Sequence, residues 1–280
     1  MDRQQLYAMN IHYRYYDLEF FFKKCHEMNF HNAEIWLCPQ HFYINSVINE
    51  NSAKLKKLIK QYDVAVTCLC PEQNNPKPNN IAARSQFLKE TSEEYFKKVI
   101  DLARDIGCEL IVVTPGWNYH DETVEEARDR SVVMLQKLCD YAGKYKINLA
   151  MESIWQKSSA IANTKDKVKE LKDLVNRNNF KLTIDLGALS DVGETPQEWF
   201  ELFGKDIVHC HFTDGTPTGH MPWGLGERDM QRTLEQFEQN HYQGGFSMEY
   251  VDQRSFTDPY EWDNKTLKQF ERCIERLGGN

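Results

Sequence analysis

Ile147-Asn-Leu-Ala-Met-Glu152, Lys181-Leu-Thr-Ile-Asp185, Ile207-Val-His-Cys-His211 and Gly245-Phe-Ser-Met-Glu249 are four short apolar runs. Each closes on a side chain able to ligate a metal. The closing residues lie 33, 26 and 38 positions apart (185 − 152, 211 − 185 and 249 − 211). A closed barrel of eight βα units takes about 250 residues, so one unit takes roughly 30. The spacing therefore predicts four consecutive parallel strands ending in Glu152, Asp185, His211 and Glu249. The C-terminal strand ends of such a barrel surround a single mouth, where residues distant in sequence meet.

Outward from these runs, strand and helix patterns alternate along the whole chain. Further strand-like runs fall near Leu6–His12, Ala33–Leu37, Val64–Cys70 and Glu109–Thr114. The last two strands are expected over Ile207–Phe212 and Gly245–Tyr250. Helical periodicity lies between them, near Leu18–Met28, Ser52–Tyr62, Ala82–Ile106, Val124–Tyr145, Lys165–Asn176, Pro196–Phe203, Met230–Asn240 and Pro259–Leu277. Asp17, Ser52, Asp121, Thr164, Thr195 and Asp258 are suitable N-caps, and Gly107 and Gly204 read as helix stops. Strict alternation implies a parallel sheet, and about eight repeats imply closure into a (β/α)8 TIM barrel, one domain over residues 1–280. A doubly wound open sheet has no ready way to gather four successive strand ends around one ion. No GxGxxG turn follows the first strand either.

The chain holds 34 basic and 42 acidic residues, a formal charge of −8. That balance disfavours a nucleic-acid partner, since a phosphate backbone calls for a basic face. No apolar run reaches the ~18 residues of a membrane helix, and no basic-then-apolar leader opens the chain, so a cytoplasmic protein off the membrane is expected. A homo-oligomer is left open. The eight cysteines include no CxxC pair, and a chain of this length can bury a core without disulfides. Reduced, mostly buried thiols are expected.

Alone, Glu152, Asp185 or Glu249 reads equally as a carboxylate capping the next helix. Together, three buried carboxylates without a cation would repel one another and lose hydration at a cost of several kcal/mol. One divalent ion, Mn²⁺, Mg²⁺, Co²⁺ or Zn²⁺, resolves that, with Glu152, Asp185, His211 and Glu249 as ligands. A metal flanked by two glutamates suits proton abstraction beside a carbonyl. Glu152 and Glu249 are accordingly the catalytic acid/base pair, acting on a small carbohydrate through a cis-enediolate. Strand alternation points His209 the same way as His211 but one layer deeper, to be bonded to another interior polar group. Glu34 is a candidate for that partner, or else a surface strand charge. Two polar connections, Pro71–Asn80 and Asp214–Glu227, leave the same face. With the ends of the first and fourth strands they supply the candidate substrate contacts His12, Glu72, Trp117 and His220.

These motifs resemble the xylose-isomerase-like sugar isomerase/epimerase superfamily over nearly the whole chain. The four strand-end residues are similar to the pattern of ketose 3-epimerases such as D-tagatose 3-epimerase. Ala33-Glu-Ile-Trp36, Pro71-Glu-Gln-Asn-Asn75 and His209-Cys-His211 look closer still to fructoselysine 3-epimerase. The resemblance implies a metal-dependent 3-epimerase of a ketose or ketose-amine, with aldose–ketose isomerisation as the alternative within the superfamily. One departure stands out: many 3-epimerases carry a histidine three residues after the aspartate ligand, and here that residue is Ala188. The same position bears on endonuclease IV, a superfamily member that cuts at abasic sites with a histidine-rich zinc cluster. Ala188 and the acidic net charge both oppose that reading.

Overall fold

The computed structural model describes residues 1–73 and 77–278. The strands are β1 (Leu6–Met9), β2 (Asn32–Trp36), β3 (Ala65–Cys70), β4 (Leu110–Val113), β5 (Asn148–Glu152), β6 (Phe180–Asp185), β7 (Ile207–His211) and β8 (Gly245–Ser247). They follow one another in chain order as a closed barrel, and the paired strands are parallel. The helices are α1 (Leu18–Glu27), α2 (Ala53–Tyr62), α3 (Gln86–Ile106), α4 (Val124–Gly143), α5 (Lys165–Val175), α6 (Leu186–Asp191), α7 (Pro196–Phe203), α8 (Met230–Gln239) and α9 (Pro259–Gly278). The predicted (β/α)8 TIM barrel is the fold found.

Local chemistry explains most of the boundaries. Asp17 caps α1 through the Glu19 amide, and Gly107 ends α3 in the left-handed conformation at φ +76°. Thr195 and Glu198 bond reciprocally at the start of α7, with Pro196 preset in the first turn. The expected cap of α4 at Asp121 is corrected to Thr123. There Thr123 and Glu126 form the same reciprocal box, while Asp121 pairs outward with Arg84. Two strands are shorter than the apolar pattern suggests. β1 gives way to a 3₁₀ turn over Asn10–Tyr13, and β8 ends at Ser247, whose carbonyl accepts the Glu249 amide at 3.0 Å. Helix α6 was not anticipated; it starts directly on Asp185.

By its internal packing the chain divides into two units, with boundaries inside β2, α2, β3 and β6. The first comprises Met1–Ile35, Lys56–Val66 and Ile184–Asn280. Its core is largely aromatic: Phe246 packs against Phe212, Phe237 and Tyr242 at 4.9–5.1 Å between ring centroids, and against Phe270 of α9 at 5.8 Å. The second comprises Trp36–Leu55 and Thr67–Thr183. Its buried side chains include the aliphatic strand residues Ile111, Leu149 and Met151 and the helix residues Tyr95, Leu135, Leu138 and Leu171. All eight cysteines are free and buried. Among the described residues, no helix is long and apolar enough to cross a membrane.

Candidate metal centre

The first unit carries most of the polar interior. His209 and His211, two residues apart on β7, both point inward and are fully buried, as alternation requires. Glu34 of β2 reaches both. Its Oε2 lies 2.7 Å from His209 Nε2 and its Oε1 3.2 Å from His211 Nε2. Glu34 is thus the interior partner of His209, and Ser247 Oγ joins it 3.1 Å from the same nitrogen. Burial works to raise the Glu34 carboxyl, but the two imidazoles beside it outweigh burial and hold it well below the usual glutamate range.

Above this layer stand Asp185, His211 and Glu249. Asp185 ends β6 and caps α6. Its Oδ1 accepts the Gly187 amide at 2.6 Å and the Ala188 amide at 3.3 Å, which orients the carboxylate while Oδ2 turns to the interior. Glu249 follows β8 by two residues and brings Oε2 to 3.0 Å from His211 Nδ1. Glu152 closes β5, opposite Thr183 on β6 and so beside the strand that carries Asp185. One ligand atom from each of Glu152, Asp185, His211 and Glu249 lies within 4.8 Å of the other three. All four residues are buried.

This donor set fits a divalent cation. Glu34 accepts the His211 Nε2 proton, so in the neutral ring Nδ1 presents a lone pair. That lone pair faces the Glu249 Oε2, a buried oxygen that accepts no hydrogen bond among the described residues. With that lone pair 3.0 Å from the Glu249 oxygen and two more carboxylates adjacent, a cation held among them would relieve the repulsion.

The outlying candidates divide. His220 reaches in from the β7–α8 connection, with Nε2 2.8 Å from Asp185 Oδ2 and 3.8 Å from Glu249 Oε2. That connection is built on Asp214, whose carboxylate accepts the amides of Gly215, Gly224, Gly226 and Arg228. The His220 carbonyl also accepts the amides of Val251 and Asp252, joining the connection to the segment after Glu249. Trp117 lies on the β4–α4 connection, clamped by Asn80, with its indole N–H buried and without an acceptor among the described residues. Glu72 is ion-paired to Lys77 within its own loop. The neighbouring Asn74, Asn75 and Pro76 of that predicted contact loop lie outside the described residues.

His12 is corrected. The 3₁₀ turn after β1 carries it into the interior, fully buried, where Nε2 meets Asp263 Oδ1 of α9 at 2.8 Å. Tyr13 donates to the other Asp263 oxygen at 2.6 Å, and the His12 ring packs against Tyr250. His12 is held by α9 and presents no exposed surface. Sequence reading missed Asp263 altogether, because an aspartate on an otherwise amphipathic helix carries no mark of its burial.

Residues 22–276 match the family described as Xylose isomerase-like TIM barrel. The chain belongs to that family. Among relatives within this barrel family, the L-ribulose-5-phosphate 3-epimerase UlaE of Salmonella typhimurium is 23% identical over 222 residues, covering 74% of this chain and 76% of the relative. The apo 3-keto-D-glucoside 4-epimerase YcjR from E. coli superposes with a TM-score of 0.81 at 16% identity, over 96% of this chain and 99% of that one. The D-allulose 3-epimerase from Methylomonas sp., in complex with D-allulose, gives 0.75 at 18% identity over 95% and 96%. Those relatives and structural neighbours are epimerases, a class of isomerase. At such identities the structural likeness speaks for the xylose-isomerase-like barrel alone.

Proposed function

We propose that this protein is a sugar epimerase that inverts C3 of a small ketose with one divalent metal ion. The observation that carries the reading is the gathering of Glu152, Asp185, His211 and Glu249 within 4.8 Å, with two of the carboxylates arriving from strands three places apart in the barrel. The epimerase relatives support the same class of chemistry.

Glu152, Asp185, His211 and Glu249 would hold the ion, which when bound polarises the ketose carbonyl and so acidifies the adjoining C–H. The carboxylate of one glutamate takes the proton from C3, leaving an enediolate. The other glutamate delivers a proton to the opposite face, so C3 is inverted with no net change in atoms or oxidation level. Glu34 holds His211 in one tautomer and orientation. Asp185 is fixed by the α6 amides on one oxygen, and His220, beside the other, would meet a substrate hydroxyl. Burial of the whole group keeps bulk water from quenching the enediolate.

Incubation of metal-loaded protein with ketoses in D₂O, followed by NMR, tests this. Deuterium should appear at the inverted carbon, and Glu152→Gln and Glu249→Gln should each stop net epimerisation. Interconversion of the C1 and C2 oxidation levels would indicate aldose–ketose isomerisation instead. Full activity in both glutamine variants would sink the two-carboxylate mechanism.

A further inference from the structure

A cavity of about 310 Å³ opens between the β4–α4 and β5–α5 connections, wholly within the second unit. Both connections leave C-terminal strand ends, so the cavity lies on the face where Glu152 closes β5. Its lining includes Trp117, Asn118, His120, Lys157, Ser158 and Ser159, and contains no carboxylate. In a chain of 42 acidic residues and net charge −8, an acid-free concavity holding a lysine is a local reversal of sign.

The reversal is not cancelled from nearby. Lys157 has no ion-pair partner among the described residues. The two acids that follow His120 are engaged elsewhere, Asp121 with Arg84 at 3.1 Å and Glu122 with Arg130 at 2.6 Å. The walls are also fixed. Ala160 donates its amide to Asn118 Oδ1 at 2.9 Å, tying one connection to the other. The amides of Ser158 and Ser159 bond to the Trp155 carbonyl, forming a turn that presents Lys157 and the Ser158 hydroxyl. The Ser159 hydroxyl accepts the Ile161 amide at 3.1 Å. The Trp117 indole forms part of the wall, with its N–H buried and without an acceptor among the described residues. A cation beside serine hydroxyls suits an anion. An ammonium group would find no counter-charge there.

We infer that this cavity binds an anionic group at the far end of the substrate, a phosphate or a carboxylate, with Lys157 as its counter-charge. The inference rests on the epimerase reading for its meaning, but the anion site can be measured without turnover. Binding of inorganic phosphate is followed by tryptophan fluorescence and by ³¹P line broadening in wild type, Lys157→Ala and Lys157→Glu. Saturable binding in wild type, weakened at least tenfold in Lys157→Ala and abolished in Lys157→Glu, is expected. KM is then compared for a ketose 5-phosphate, the same ketose unphosphorylated and a ketose carrying a terminal carboxylate. Lys157→Ala should raise KM for an anionic substrate at least tenfold more than for the neutral one, and whichever anion shows that difference is the native type. Phosphate binding that ignores Lys157, or equal losses on charged and neutral ketoses, overturns the inference. Phosphate binding at Lys157 without turnover of any ketose leaves the anion site standing and counts against the epimerase reading alone.

Discussion

His220 lies against the bare α-carbon of Gly187. A Cβ at Gly187 would stand 2.8 Å from His220 Cδ2 and 3.0 Å from the Gly219 carbonyl oxygen. The contact is what lets an imidazole from the β7–α8 connection reach Asp185 Oδ2. Gly187→Ala should therefore displace His220 while leaving the Asp185 cap in place. The expected result is a loss of about tenfold in kcat/KM, roughly 1.4 kcal/mol of transition-state stabilisation. Steady-state kinetics beside a thermal melt checks it: a lowered kcat/KM with a near-native Tm supports the contact, and native kinetics would show that His220 has no part in turnover.

Extensively dialysed protein should retain about one metal ion per chain, counted by elemental analysis. His211→Ala and Asp185→Asn should each lower its affinity by an order of magnitude or more, because the remaining carboxylates are left incompletely neutralised. Three tightly held zinc ions would restore the nuclease reading, and unchanged affinity in both variants would reassign the ligands.

Glu34 touches His211 on the side away from the donor group, at 3.2 Å. Glu34→Gln should weaken metal binding about 10- to 100-fold although the ligands are intact, as for other carboxylates that orient a metal-bound imidazole. Isothermal titration with Mn²⁺ would read the change.

The same carboxylate makes stability sensitive to acid. Its folded value lies below the ordinary 4.5, so the unfolded chain takes up its proton first as pH falls. The stabilisation is complete above about pH 4.5 and is lost progressively below it as pH drops toward the folded value. In metal-stripped protein, the Tm gap between wild type and Glu34→Gln should be full at neutral pH and should close on acidification below about 4.5. A gap that widens in acid contradicts this linkage.

His12→Ala removes one of the two side chains, His12 and Tyr13, that bond the buried Asp263 carboxylate, His12 at 2.8 Å. Deleting a hydrogen-bond partner of a buried polar group typically costs about 1–3 kcal/mol. Denaturant unfolding should show a loss of that size. KM of the enzyme that remains folded, measured below its melting range, should change less than twofold, whereas a substrate contact would raise it.

The period of the apolar runs and the chemistry of their last residues are local properties of the chain. Alternation of period 2 and period 3.6, with caps such as Thr195 and stops such as Gly107, determined the barrel and the positions of Glu152, Asp185, His211 and Glu249. Pairing was not determined in this way. Glu34 and His209 lie 175 residues apart and His12 and Asp263 lie 251 apart, and nothing in either short segment specifies its partner. Only closure of the strands brought Glu34 beneath both histidines, turned His211 Nδ1 toward Glu249, and drew His12 away from the mouth into the packing of α9. Such contacts form where side chains from distant segments compete for the same buried volume and must satisfy one another's polar atoms.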